Sequence, residues 1–227
     1  MVKKRSGMTL VELILVVIIV TVLMAAGIGS ILRSQRAFTF NAADQAVSSM
    51  VRTARSYAIT GRAVQDYTDY NGVNGTTDQV TPANYGIYFD TAKNQVFLFA
   101  DIRENGNEGI FQPPASGALG VYKADKDVIL EAYEVDDSLN LLVGGMVKGL
   151  NTANTILYSP IFSDTTFSYY DASTAVIVEP STTSFFVYGI READRTPARE
   201  SCFGIQPVAG VPESLDNINV SGVDCPT

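Results

Sequence analysis

Residues 13–32 of this chain carry no charge, and most of their side chains are large and apolar. Wound into a helix at about 1.5 Å per residue, such a run is about 30 Å long, enough to cross the hydrocarbon core of a bilayer. Helix is the state it must take there, because lipid offers no partner for backbone N–H and C=O groups. Lys3, Lys4 and Arg5 stand before the run. The positive-inside rule then predicts a cytoplasmic N-terminus and an exported remainder. A basic start followed by an apolar run has three readings: a cleaved secretory signal, an uncleaved signal anchor, or a short leader trimmed ahead of a helix that stays. The run is long for a signal peptide, although Met24-Ala25-Ala26-Gly27 offers the small residues a cleavage site needs.

Glu12 separates these readings. A carboxylate near the start of a membrane helix costs up to roughly 2.5–3.5 kcal/mol at the bilayer centre and less near the interface. A plain anchor gains little by carrying it. Local structure supplies one reason to keep it: Thr9-Leu10-Val11-Glu12 fits the capping box, and an acid in the first turn suits the helix dipole.

A second reason comes from the surrounding residues. Ser6-Gly7-Met8-Thr9-Leu10-Val11-Glu12-Leu13 resembles the leader junction of type IV pilins and type II secretion pseudopilins. The resemblance implies cleavage by a prepilin peptidase between Gly7 and Met8, N-methylation of Met8 as the new terminus, and an assembly role for Glu12. That family usually has Phe where this chain has Met8, another large apolar residue. The physical logic is charge pairing. An ammonium at Met8 and a carboxylate at Glu12 are each expensive in an apolar layer unless paired. Glu12 of one subunit can neutralise Met8 of its neighbour.

Beyond residue 32 the chain turns polar but keeps helical periodicity. Apolar residues recur at Phe40, Ala43, Val47, Met50, Ala54 and Tyr57, an amphipathic stripe. Gly61 is the predicted stop. A helix from about Thr9 to about Thr60 would be roughly 75 Å long. Its first half is predicted to be transmembrane and its second half to pack on a sheet. Gly27 and Gly29 interrupt the apolar half, each at about 1 kcal/mol relative to Ala. Either they let neighbouring helices approach closely, or they form a weak point where the helix stretches during assembly. Many family members carry Pro at the place of Gly29.

After Gly61 the pattern is that of strands. Candidates are 85–89 and 95–100, joined as a hairpin through 90–94, then 128–133, 155–158, 175–178, 184–188 and 202–205. Polar loops are expected at 66–81, 103–120, 151–154 and 192–201. The fold class is therefore α+β: a long N-terminal helix packed on an antiparallel β-sheet head, a pilin-like arrangement. The divisions are a leader at 1–7, the long helix at 8–61, and a β-rich head at 62–227. The stretch ARSYAITGR, followed by a YGIYFD strand and a strand running into an acidic loop, is similar to minor pseudopilins of the GspH-like kind. In that loop Asp101, Asn105, Asn107 and Glu108 offer oxygens of the type calcium prefers, but their spacing is not that of an EF-hand and a solvated turn explains them as well.

Cys202 and Cys225 enclose 22 residues rich in turn formers. Two cysteines in an exported body predict one disulfide, and the resemblance implies a closed C-terminal loop of this kind.

The chain holds no histidine and no tryptophan, and its net charge is −8. Without His the usual general base, metal ligand and triad partner are missing. No GxSxG, HExxH or CxxC motif is present. An acidic body argues against nucleic acid as a partner. No enzyme activity and no cofactor are expected. The resemblance implies a structural subunit, a minor pilin or pseudopilin, with other pilin-like subunits, a prepilin peptidase, the membrane and an inner-membrane assembly platform as partners. The alternative is a signal-anchored exported enzyme or binding domain.

Overall fold

The computed structural model describes residues 10–65, 79–101, 111, 127–146, 154–160, 165–171, 174–178, 185–193, 199–205 and 212–214. The chain divides into two compact units, Met1–Asn41 and Ala42–Thr227. The helix α1 (Leu10–Thr60) runs through that division. In the first unit it is the described element, built on straight-chain and branched apolar residues with no proline to break it.

In the second unit α1 shows the stripe expected from periodicity. Ala43, Val47, Met50 and Ala54 are buried, joined by Val51 and Ala58. Tyr57 is half-exposed instead, its ring packed edge-on against Tyr85 at 5.8 Å. The helix stops where glycine allows it. Gly61 has φ 58°, a left-handed conformation that costs glycine nothing. Its N–H reaches the carbonyl of Ala58, and the Arg62 N–H reaches that of Tyr57, both at 3.2 Å. This is a Schellman closure, which satisfies carbonyls the helix end would leave unpaired. The Tyr85 hydroxyl donates to the Arg62 carbonyl and pins the exit.

The strands are β1 (Val64–Gln65), β2 (Gln79–Val80), β3 (Asn84–Asp90), β4 (Gln95–Asp101), β5 (Val128–Glu134), β6 (Leu139–Met146), β7 (Thr155–Tyr158), β8 (Thr165–Asp171), β9 (Thr174–Val178), β10 (Phe185–Glu192), β11 (Glu200–Ile205) and β12 (Pro212–Ser214). Where one sheet was expected, the described strands form two larger sheets and a two-stranded ribbon, β1-β2. Six strands lie in the order β5-β4-β3-β7-β8-β9 and four in the order β12-β11-β10-β6. Every described pairing is antiparallel. The seven predicted strands are present. β1, β2, β6, β8 and β12 were not predicted: β1, β2 and β12 are two or three residues long, with β2 inside the loop expected at 66–81, the apolar run of β6 is only Leu141-Leu142-Val143 before Gly144-Gly145, and β8 is mostly Thr, Ser and Tyr. The loop expected at 192–201 is shorter than predicted, because β10 runs to Glu192 and β11 starts at Glu200.

Strand register assigns two faces to the larger sheet. Tyr85, Ile87 and Phe89 of β3 share a face with Val96, Leu98 and Ala100 of β4 and with Ile156 and Tyr158 of β7. Phe97, Phe99 and Leu157 point the other way and cluster with Ile129 and Phe111. Phe111 sits 4.4 Å from the ring of Phe99 and 4.5 Å from that of Tyr88. β4 is thus buried on both faces, which is why it reads as an unbroken apolar run. The two sheets meet where Phe89 packs against Phe186 and Tyr188, with ring centres 5.4 and 5.3 Å apart.

Candidate functional site

Among the described residues, most of the exposed large apolar side chains belong to the N-terminal unit. From Leu10, 75% exposed, to Leu32, 50% exposed, the large aliphatic side chains of α1 stand outward all round the helix. A globular surface seldom leaves so much apolar area uncovered without lipid or protein to meet it. The one polar side chain within 13–24 is Thr21, and its hydroxyl donates to the Val17 carbonyl at 2.8 Å. The stretch therefore presents no unmet donor to an apolar surrounding. Glu12 is the acid of the first turn and lies on the exposed surface. Gly27 and Gly29 lie inside continuous α-helix. Among the described residues no helix is long and apolar enough to cross a membrane. The side chains of 25–27, 29 and 30 fall outside the described set, so the described apolar stretch is broken after Met24. Gly7, Met8 and the capping Thr9 also lie outside the described residues.

In the second unit, the exposed side of α1 borders the smaller sheet along a groove with two hollows. One, of about 280 Å³, is lined by Asp44, Gln45, Ser48, Ser49, Arg52 and Phe203. The other, of about 330 Å³, is lined by Arg52, Arg55, Ser56, Ile59, Thr60 and Pro212. Arg52 belongs to both. Burial raises the Asp44 carboxyl above its usual range, while a hydrogen bond from Ser201 and the nearby Arg199 charge pull it back. Beneath the helix, burial pushes the Tyr158 and Tyr188 phenols far up. Tyr188 receives partial compensation from Ser48, whose Oγ lies 3.5 Å from its hydroxyl.

Of the other residues singled out in the sequence, Asp101 and Cys202 are among the described ones. Asp101 belongs to β4 rather than to the loop after it, is buried, and accepts a 2.8 Å hydrogen bond from the Asn84 side-chain amide. Asn105, Asn107 and Glu108 lie outside the described residues, and among the described ones no group of three acids or cysteines is placed to hold a metal ion. Cys202 is disulfide-bonded on β11. Its sulfur lies so close over Gly189 of β10 that a Cβ there would meet Sγ at 2.7 Å. Cys225, the chain's other cysteine, lies outside the described residues.

Asn94 was hidden inside a predicted turn. It has φ 55° and uses its side-chain amide as a stand-in for a strand. Nδ2 donates to the carbonyls of Leu139 at 2.8 Å and Val135 at 3.2 Å, and Oδ1 accepts the Leu141 N–H at 2.9 Å. The tip of the β3-β4 hairpin is thereby tied to the link that carries the chain from one sheet to the other. The sequence signal was the residue type itself, since Asn tolerates the left-handed region better than other residues with a side chain.

No family model, curated protein or solved structure matches this chain.

Proposed function

We propose that this protein is a structural subunit, a minor pilin or pseudopilin, of a type IV pilus-like or type II secretion filament. A prepilin peptidase cuts the leader between Gly7 and Met8, and Met8 is N-methylated. The apolar half of α1 holds the subunit in the inner membrane with the β-rich head exported. Other pilin-like subunits and the inner-membrane assembly platform then receive that helix.

One observation carries this reading. A single 51-residue helix begins with an all-round apolar surface, holds one acid in its first turn, and ends with a one-sided buried stripe. The first part suits lipid or other helices and the last part suits a head. Glu12, the acid of that first turn, fits the assembly role the leader-junction resemblance implies, because a carboxylate in an apolar layer is cheapest where it is held beside an opposite charge. Its contribution is to register between neighbours more than to the fold of one chain.

Mass spectrometry of the N-terminal peptide, taken from the native membrane, tests the proposal. A chain beginning at N-methylated Met8 is the expected result. A chain beginning at Met1, or cut near Gly27, overturns it and returns the protein to the anchored or secreted class. Glu12→Ala gives a second readout: filament incorporation should fall, whereas an anchored enzyme or binding domain would be unaffected.

A further inference from the structure

Charge is divided unevenly along this chain. Residues 13–62 hold five arginines, Arg33, Arg36, Arg52, Arg55 and Arg62, against the single acid Asp44. Residues 63–227 hold 8 basic residues against 22 acidic ones, a net of −14. Part of this division is exposed on two separate faces of the second unit.

The first face is the groove between α1 and the smaller sheet, where Arg52 and Arg55 line the wall and half-exposed Ile59 provides an apolar lip. Among the described residues neither groove arginine is in an ion pair. Arg55 buries its Nε without a hydrogen-bond partner. The second is an acidic corner at the free edge of β5, which Glu131 and Glu134 flank from opposite faces of the sheet, since they pair with Leu98 and Gln95. Glu131 and Glu134 of β5, with Asp136 and Asp137 of the link to β6, are all exposed. β5 is an edge strand of the six-stranded sheet, so the corner stands at a margin. Hydrogen bonds from the Ser138 hydroxyl and amide hold Asp136 in place and lower its pKa.

We infer that the arginine-lined groove of one copy receives the acidic corner at 131–137 of a second copy. Complementary charge selects the partner: residues 63–227 carry a net −14, so two copies repel unless a basic patch of one meets an acidic patch of the other. The contact joins two different patches, so it is heterologous. It does not close a two-fold pair, and each copy keeps one free groove or one free corner for the next. This inference rests on the structural-subunit reading, and adds to it a contact made by the heads.

The test is self-association of the full chain in neutral detergent micelles, followed by sedimentation equilibrium. Four proteins are compared: wild type, Arg52→Glu with Arg55→Glu, Glu131→Lys with Glu134→Lys, and all four changes together. Because Arg55 is half-buried, Arg52→Glu alone serves as a second groove variant, and near-UV circular dichroism checks that each head is folded. Either reversal alone should weaken association by about tenfold or more, since it brings like charges together, and the combined reversal should restore it. Wild-type association should also weaken as salt is raised. A wild type that associates but ignores every reversal overturns this contact and leaves the filament reading standing. A groove reversal that acts while the corner reversal does not assigns the arginines to some other anion and also overturns it. A wild type that stays monomeric in micelles and in its native membrane overturns both.

Discussion

Replacing Asn94 should damage this head more than its place in a surface turn suggests. Asn94→Ala removes three hydrogen bonds at once, to Leu139, Val135 and Leu141. The side chains of all three partners are buried, so water reaches the abandoned backbone groups poorly. Counting about 1 kcal/mol for each of the two shorter bonds and rather less for the longest, with an added penalty for stranding a buried N–H, gives about 3 kcal/mol. The left-handed φ of 55° adds about 1 kcal/mol for a residue with a Cβ and no side-chain amide. The total of about 4 kcal/mol is a large share of the 5–15 kcal/mol typical of a domain. Asn94→Gly isolates the two causes, because glycine recovers the backbone cost and none of the hydrogen bonds. It should lose about 3 kcal/mol. The assay is urea unfolding of the full chain in detergent, followed by the near-UV circular dichroism of its tyrosines. If Asn94→Ala costs less than about 1 kcal/mol, the bridging account is wrong. If Asn94→Gly matches wild type, the residue is kept for its backbone conformation alone.

Three further outcomes are expected. Tyr158 buries its hydroxyl without a partner, so Tyr158→Phe should leave urea stability unchanged or raise it, while Tyr85→Phe, which removes the donor to the Arg62 carbonyl, should lower it by about 1 kcal/mol. Burial first of all raises the Tyr85 phenol to about 12, with nearby Arg62 pulling it down and Tyr57 pushing it up; Tyr158 and Tyr188 are also raised. A folded pKa above the unfolded value of about 10 means that this stability is intact below pH 10 and is lost as pH climbs through the folded values. Tyrosinate absorbance and loss of circular dichroism should therefore rise together above that pH, and phenols that titrate at their ordinary value in a still-folded head would contradict the burial. Reduction of the Cys202 disulfide should lower the urea stability of the head by about 3 kcal/mol, taking Cys225 as its partner and the 22 residues between them as the loop. An unchanged midpoint after reduction would remove the staple from the account.

Local pattern alone determined several features of this protein. The proline-free run at 13–32 is helical as read, the stripe from Ala43 to Ala54 marks a buried helix face, and Gly61 is where that helix can turn left-handed. The hairpin around 90–94 and the runs at 128–133 and 155–158 were legible because side-chain type and turn chemistry act between near neighbours in sequence. Tertiary structure decided what depends on partners far along the chain. The strands divide into two sheets because β10 pairs with β6 and β11, while β3 pairs with β4 and β7. Nothing in a single strand says which neighbour it will take. β6 and β8 have weak patterns and are held by the strands beside them. Asp101, read as part of an acidic loop, lies on β4 with its carboxylate on Asn84, and Asn94, in the turn where it was expected, also spends its amide on three backbone groups more than 40 positions away. Periodicity carries which face of an element is apolar; which polar group meets which is settled only when the sheets close over the helix, because a hydrogen bond needs a partner within about 3 Å and sequence distance does not set that.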